Sequence, residues 1–423
     1  MATVLILTFG SRGDVQPFVA LGAALKARGH DVTLSTGRGF DDLIAAQGLR
    51  PAPLSIDMQA MVDSPEVRAA LTSPRGWLKA FRSSQALMQR QLDEMWDVAR
   101  QVAPRIVVYN MKAFAAPWFA CKLGAVAVPA FLQPAFAPTG AFPNPIAPLP
   151  DLGSLGNRLS GRAMTGLMRL GYRAILRKWL PRHPEAPARP GLDPLRGHHP
   201  DARAVPRLHA HSRHIVPKPS DWGADEHVTG YWSLGRASDW EPPADLAAFL
   251  ASGPPPVYVG FGSMPSVDGE RTASVVLAAL RQMKTRAVVA RGWGALSGAV
   301  GGDNIHVIDG APHDGLFPHC QAVVHHGGAG TTHEGLRWGR PTLVCPVFGD
   351  QPFWGRAVAR LGVGPAPLPL KRLDVVGLSA ALRDLQSPDL QERARALSEK
   401  LQSEDGAEAA AELLLDVSPP VYV

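Results

Sequence analysis

The chain has 423 residues, 46% of them hydrophobic and 19% charged, which is the balance of a folded globular protein long enough for two domains, each with its own core. The 43 Lys+Arg against 37 Asp+Glu leave a net charge of +6, but the cations are spread rather than run together, so no nucleic-acid partner is expected. Three cysteines, Cys121, Cys320 and Cys345, with no CxxC pair, exclude a disulfide scaffold and fit a reduced, cytoplasmic protein.

The first apolar run, Val4 to Leu7, is too short for a signal peptide or a membrane span. It suits a buried parallel strand. "TFGSRGD" then makes a turn, and Val15 to Arg28 reads as a helix that tolerates Pro17 in its first turn. "GHDVTLST" closes a βαβ unit. Strand-like runs recur at Arg105–Asn110 and Ala125–Pro134. Between Ala135 and Arg207 the alternation breaks, with one helical piece near Asn157–Leu180. Prolines at 242, 243 and 254–256 mark a stiff linker. A second series starts at Val257, with strands at Arg286–Ala290, Ile305–Ile308, Ala322–His326 and Thr342–Pro346. The predicted class is α/β, two doubly wound domains whose strand carboxyl ends face a cleft.

The stretch "VVHHGGAGTTHEGLRWGRPTLVCPVFGDQ" carries the chemistry. After an apolar strand, Gly327, Gly328 and Gly330 allow a ligand close to the backbone. The first N–H groups of the helix that follows, and its dipole, form an anion site. Thr331 and Thr332 add hydroxyls, and His326 stands at the strand end. This is a diphosphate cradle needing no Walker lysine and no metal; the plainer reading is a tight turn with threonine caps. A dinucleotide site is disfavoured, because "FGSRGD" lacks a third glycine in register and "TLST" ends without an acidic residue.

The segments "GSRGDVQPFVALGAALKARGHDVTL", "LQPAFAPTGAFPNP", "PPVYVGFGSM", "APHDGLFP" and "HHGGAGTTHEGLRWGRPTLVCPVFGDQPFWG" resemble the inverting nucleotide-sugar glycosyltransferases of the sterol, glycopeptide and natural-product group, within the UDP-glycosyltransferase superfamily. The resemblance implies a GT-B fold. Residues 1–230 would be the acceptor domain, 231–256 a linker, 257–395 the donor domain, and 396–423 a helix returning to the N-terminal domain. It also implies roles. His326, Gly328, Gly330, Thr331 and Ser263 would face the donor diphosphate, joined by Ser11 and Arg12. Glu334 would hold the ribose, and Asp350 and Gln351 the sugar hydroxyls. The chain departs from the pattern at Gly310 and Gly315, where relatives carry tryptophan. Base recognition is therefore expected from the Ala311 backbone and Trp293.

The attacking hydroxyl needs a general base. Asp14 is the expected one; its competing reading is a helix N-cap. No cofactor and no catalytic metal are expected. The expected reaction moves a hexose, glucose by preference, from a UDP- or dTDP-sugar to a hydroxyl of a sterol, triterpenoid or polyketide-like acceptor. A nucleotide-sugar epimerase and a non-catalytic donor-binding protein are the alternatives. "LHAHSRH" (His209, His211, His214) reads as structural, with no acidic ligand beside it. His198 and His199 read as a solvated loop, Glu94 and Asp97 as surface charges, and Cys345 as core. "NRLSGRAMTGLMRLGYRAILRKWL" is basic and amphipathic. It fits either an acceptor-pocket helix or peripheral contact with a membrane surface.

Overall fold

The computed structural model describes the whole chain except residues 58–73, 148, 186–190, 236–239, 263–267, 303 and 418–423. It divides into two compact units. Unit 1 holds Met1–Arg213, Pro217–Ser233 and the stretch from Asp405; unit 2 holds His214–Val216 and Leu234–Glu404.

Unit 1 is built on a sheet of seven parallel strands in the order β3-β2-β1-β4-β5-β6-β7. They are β1 (Thr3–Leu7), β2 (Asp31–Thr36), β3 (Arg50–Pro53), β4 (Ile106–Tyr109), β5 (Val126–Phe131), β6 (Arg207–His209) and β7 (Glu226–Val228). β4 and β5 are buried at every residue, as parallel strands covered on both faces must be. The helices are α1 (Arg12–Ala27), α2 (Asp41–Ala45), α3 (Pro74–Val102), α4 (Ala116–Leu123) and α5 (Gly153–Trp179). Trp96, Phe119 and Trp179 meet in one core, with ring centroids 5.4–6.5 Å apart. β1 lies in mid-sheet and the chain runs outward from it both ways, so the switch point falls between β1 and β4.

Unit 2 repeats the scheme with five parallel strands in the order β10-β9-β8-β11-β12. These are β8 (Val257–Gly260), β9 (Ala287–Ala290), β10 (Ile305–Ile308), β11 (Ala322–His325) and β12 (Thr342–Val344). The helices are α6 (Ala244–Ala251), α7 (Gly269–Gln282), α8 (His313–Leu316), α9 (Ala329–Arg337), α10 (Gln351–Arg360), α11 (Val375–Leu385) and α12 (Pro388–Gln402). The switch point here lies between β8 and β11.

Two expected boundaries move. The proline-rich segment 231–256 is not a bare linker. Pro243 stands at the N-cap of α6, and Leu246 of that helix is buried beside Tyr258 and Phe317 of unit 2. The final stretch is two helices. α12 belongs to unit 2, and α13 (Gly406–Leu415) belongs to unit 1, so the division falls at Asp405 rather than at 396. α13 packs on α1, tied by the Arg28–Glu408 pair at 2.6 Å. A side chain at Gly406 would strike the Gly230 carbonyl at 2.5 Å, which is why glycine opens this helix.

Three histidine and carboxylate readings are also corrected. His209 is fully buried with its Nε2 2.7 Å from Glu226, so an acidic partner does stand beside "LHAHSRH". Unfavourable burial of that ring is offset by a bond across the β6–β7 ladder, invisible at a sequence separation of 17. His199 is buried, not solvated, because the loop folds back onto β5 through a bridge between Ala127 and His198. Glu94 accepts from the Ser55 N–H at 2.7 Å and so fastens the segment after β3 to α3. Cys345 lies in the unit 2 core, where burial pushes its thiol up to about 12. Among the described residues no helix is long and apolar enough to cross a membrane.

Candidate functional site

Each unit gathers its candidate residues at its own switch point. In unit 2, β11 ends at His325 and the chain turns through His326, Gly327 and Gly328 into α9. Gly327 has φ +97°, and a side chain there would lie 2.5 Å from Val344 Cγ1; only glycine fits. Gly328 is the N-cap of α9, with no side-chain cap over the first turn. The opening N–H groups therefore lack intrahelical acceptors and face outward with the positive end of the helix dipole.

The His326 ring is walled by two glycines. A side chain on Gly328 would approach Nε2 to 2.7 Å, and one on Gly262, at the end of β8, would approach Cε1 to 3.1 Å. Its Nδ1 is buried without a hydrogen-bond partner among the described residues. The residue is half-buried, and burial of the ring pushes its pKa down to about 4, so it is neutral at pH 7 and one ring nitrogen is a donor. His325 behind it is fully buried, accepts from the Gly327 N–H at 2.9 Å, and is held far below the usual histidine range by burial and by the neighbouring His326. The two histidines thus differ: the first fixes the turn through its bond from Gly327, and the second keeps a ring nitrogen without a partner among the described residues.

The threonines differ. Thr332 is fully buried and its hydroxyl donates to the Gly328 carbonyl at 2.9 Å, so it is not the ligand donor that the sequence suggests; its position puts it on the inner side of α9. Thr331 is half-buried in the first turn and Glu334 is buried one turn on. The backbone N–H of Trp293 donates to the Gly262 carbonyl at 3.1 Å, just after β8. Ala311 lies half-buried just before α8. Ser263 lies outside the described residues. Asp350 is the N-cap of α10 and accepts from the Trp354 indole at 2.7 Å. Gln351 is buried, and its Oε1 accepts from the N–H groups of Val347 and Phe348 at 2.7 and 3.2 Å. Both side chains thus shape the loop after β12.

Sequence reading missed one aromatic. Trp240 lies against Gly315, where a side chain would meet its ring at 2.4 Å. The indole occupies the space that a side chain at position 315 would need. The signal was available as a lone Trp before "EPP" paired with a side-chain-free Gly315.

In unit 1 the corresponding turn follows β1. Ser11, not Asp14, is the N-cap of α1, and Asp14 is the third helical residue of a capping box. Its Oδ2 accepts from the Ser11 N–H at 2.9 Å and lies 3.0 Å from Lys112 Nζ. Lys112 follows β4, across the switch point. Asn110 closes the arrangement: its Oδ1 accepts from the Lys112 N–H, and its Nδ2 donates to Thr8, whose hydroxyl donates to the Asp14 carbonyl. A side chain at Gly10, φ +147°, would fall 2.1 Å from the Asp14 carboxylate. Asp14 keeps 22% of its side chain exposed. Ser11 Oγ donates to Asp14 at 3.2 Å, and Arg12 donates to Gln16 at 2.9 Å. Lys112 carried no signal in the sequence; only the β1–β4 pairing brings it here.

Residues 4–137 match the glycosyltransferase family 28 N-terminal domain, and residues 274–415 match the C-terminal domain of erythromycin biosynthesis protein CIII-like proteins. Over 99% of its length the chain is 34% identical to sterol 3-beta-glucosyltransferase UGT80B1 of Arabidopsis thaliana, covering 68% of that protein. It belongs to the UDP-glycosyltransferase superfamily. A second member, O-mycaminosyltylonolide 6-deoxyallosyltransferase of Streptomyces fradiae, is 33% identical over 97% of this chain and 96% of its own length. Other sterol glucosyltransferase relatives are longer, and the chain spans only 64% or 29% of them. The glycosyltransferase of kitacinnamycin shares the fold, with a TM-score of 0.70 at 19% identity over 99% of each chain. The two doubly wound sheets are those of the GT-B superfamily members.

Proposed function

We propose that this superfamily member is an inverting hexosyltransferase that needs no metal. It takes glucose from UDP-glucose and transfers it to a hydroxyl of a sterol, triterpenoid or polyketide-like acceptor. The donor diphosphate belongs at the turn from β11 into α9, where Gly328, Gly330, Thr331 and His326 offer donors. Glu334 takes the ribose, Asp350 and Gln351 the hexose, and Trp293 with Ala311 the base. Asp14 accepts the proton of the attacking hydroxyl. One observation supports this reading above the others: a neutral histidine walled by two glycines at an uncapped helix N-terminus. That arrangement suits a dianionic leaving group. The relatives are transferases, which favours transfer over the epimerase alternative.

His326→Ala removes a hydrogen bond to a charged phosphate. UDP affinity should fall about 10- to 100-fold by calorimetry; unchanged affinity would take His326 out of the donor site. Because helix N–H groups and a neutral imidazole stand where other transferases use a cation, transfer should survive excess EDTA. Activity abolished by the chelator and restored by Mg²⁺ or Mn²⁺ would refute the metal-free reading.

A further inference from the structure

Helix α5 has two unlike faces. At about 100° per residue, Asn157, Gly161, Thr165, Ile175, Leu176 and Trp179 share one side, and all are buried. That side is fastened firmly. Gly161 lies against Pro138, Arg158 pairs with Asp221 at 2.8 Å, and Tyr172 stacks on Phe114 with centroids 4.4 Å apart.

The opposite side shows leucines to solvent. Leu152 just before the helix, then Leu155, Leu159, Leu167 and Leu170, are 52–70% exposed. Ten large apolar side chains are exposed among the described residues, and six lie between 149 and 170. Such clustering departs from the scattered exposed apolar residues of an ordinary surface. The exposed Arg162, Arg173 and Arg177 fall on this same side, and the helix has no acidic residue.

We propose that this face docks on an anionic lipid surface. Leucines along the middle of the face would enter the boundary between headgroups and acyl chains. The arginines, whose long stems reach outward, would meet lipid phosphates. Charge selects this occupant. A second copy laid on the same face would set arginines against arginines with no carboxylate between them. The proposal does not depend on the donor chemistry or on Asp14.

The test is flotation of the full chain with vesicles of phosphatidylcholine alone and of phosphatidylcholine doped with phosphatidylglycerol, at low and high salt. The wild type should float with the doped vesicles only, and less at high salt. Arg162→Gln/Arg173→Gln/Arg177→Gln should lose roughly 100-fold in partitioning, about fivefold for each cation. Leu155→Gln/Leu159→Gln/Leu167→Gln/Leu170→Gln should lose at least about tenfold. These side chains are exposed, so an unchanged melting temperature is expected of both variants. As a direct readout, a solvatochromic dye on Leu159→Cys should shift to the blue on adding the doped vesicles. Several results would overturn the proposal: no flotation of the wild type, equal flotation of the leucine variant, or an unmoved dye. So would a wild-type dimer that the leucine variant converts to monomer while neither binds vesicles, or capture only by acidic proteins.

Discussion

Asp14→Asn should give a folded protein that scarcely turns over. The amide oxygen of asparagine can still accept from the Ser11 N–H, so the first turn of α1 keeps its reciprocal cap. What is lost structurally is the ion pair with Lys112, both of whose side chains are partly exposed, and such a pair is worth at most about 1 kcal/mol. What is lost chemically is the carboxylate proposed to take the acceptor's proton. Turnover on UDP-glucose and a lipophilic alcohol should therefore fall about 10²- to 10⁴-fold, while UDP binding and the melting temperature change little. Lys112→Met separates the carboxylate from its partner. It removes the cation but leaves Asp14 bonded to Ser11, so most of the turnover should remain. Parent-like rates in Asp14→Asn would move the base elsewhere; equal losses in both variants would show that the pair, not the carboxylate alone, carries the effect.

The central parallel strands of both sheets were legible because burial on both faces demands unbroken apolar runs, whereas β3, with its largely exposed Arg-Pro-Ala-Pro, was not. "VLIL", "IVVY" and "AVV" declare themselves. The strands β6 and β7 did not. Each has three residues, and they bury His209 and Glu226 beside a half-buried Arg207, which no hydrophobic pattern flags. Those groups are tolerable only because they bond one another, Arg207 to Glu226 at 2.9 Å and His209 to Glu226 at 2.7 Å. Helix α6 was hidden by the prolines around it, which read as a linker when taken alone but here precede a helix and a strand.

Much of the turn from β11 into α9 could be read directly, because the glycines and the histidine sit within a few residues. Its walls could not. Gly262 is 64 residues from His326 and meets it only because β8 and β11 are neighbours. The same holds for Lys112 beside Asp14, joined by the pairing of β1 with β4. Local sequence also overstated the supply of donors, since the hydroxyl of Thr332 is committed to its own helix. Residue types name the chemistry; strand order decides which of them meet.

Acid should weaken unit 2 well before its carboxylates protonate. His333 in α9 is only 1% exposed. Its ring lies 2.7 Å from the Ala329 carbonyl and edge-on to Trp354, with centroids 5.0 Å apart. Burial pushes its pKa from 6.5 down to about 4, against a smaller opposing effect of the Ala329 bond. The folded state therefore binds this proton less readily than the unfolded chain. Stability from this group is complete above pH 6.5 and is lost as the pH falls toward 4, to the extent of about 3 kcal/mol. His325 and His326 are displaced in the same direction, so the loss should be steeper than one histidine gives. Urea midpoints measured from about pH 7 to about pH 4.5 should fall across this window. In His333→Gln one titration is removed, and the decline should be shallower by up to about 1.4 kcal/mol per pH unit. Identical slopes in the parent and this variant would mean that the α9 histidine takes up its proton inside the fold at no cost, and that the acid sensitivity lies with His325 and His326 at the turn from β11 into α9.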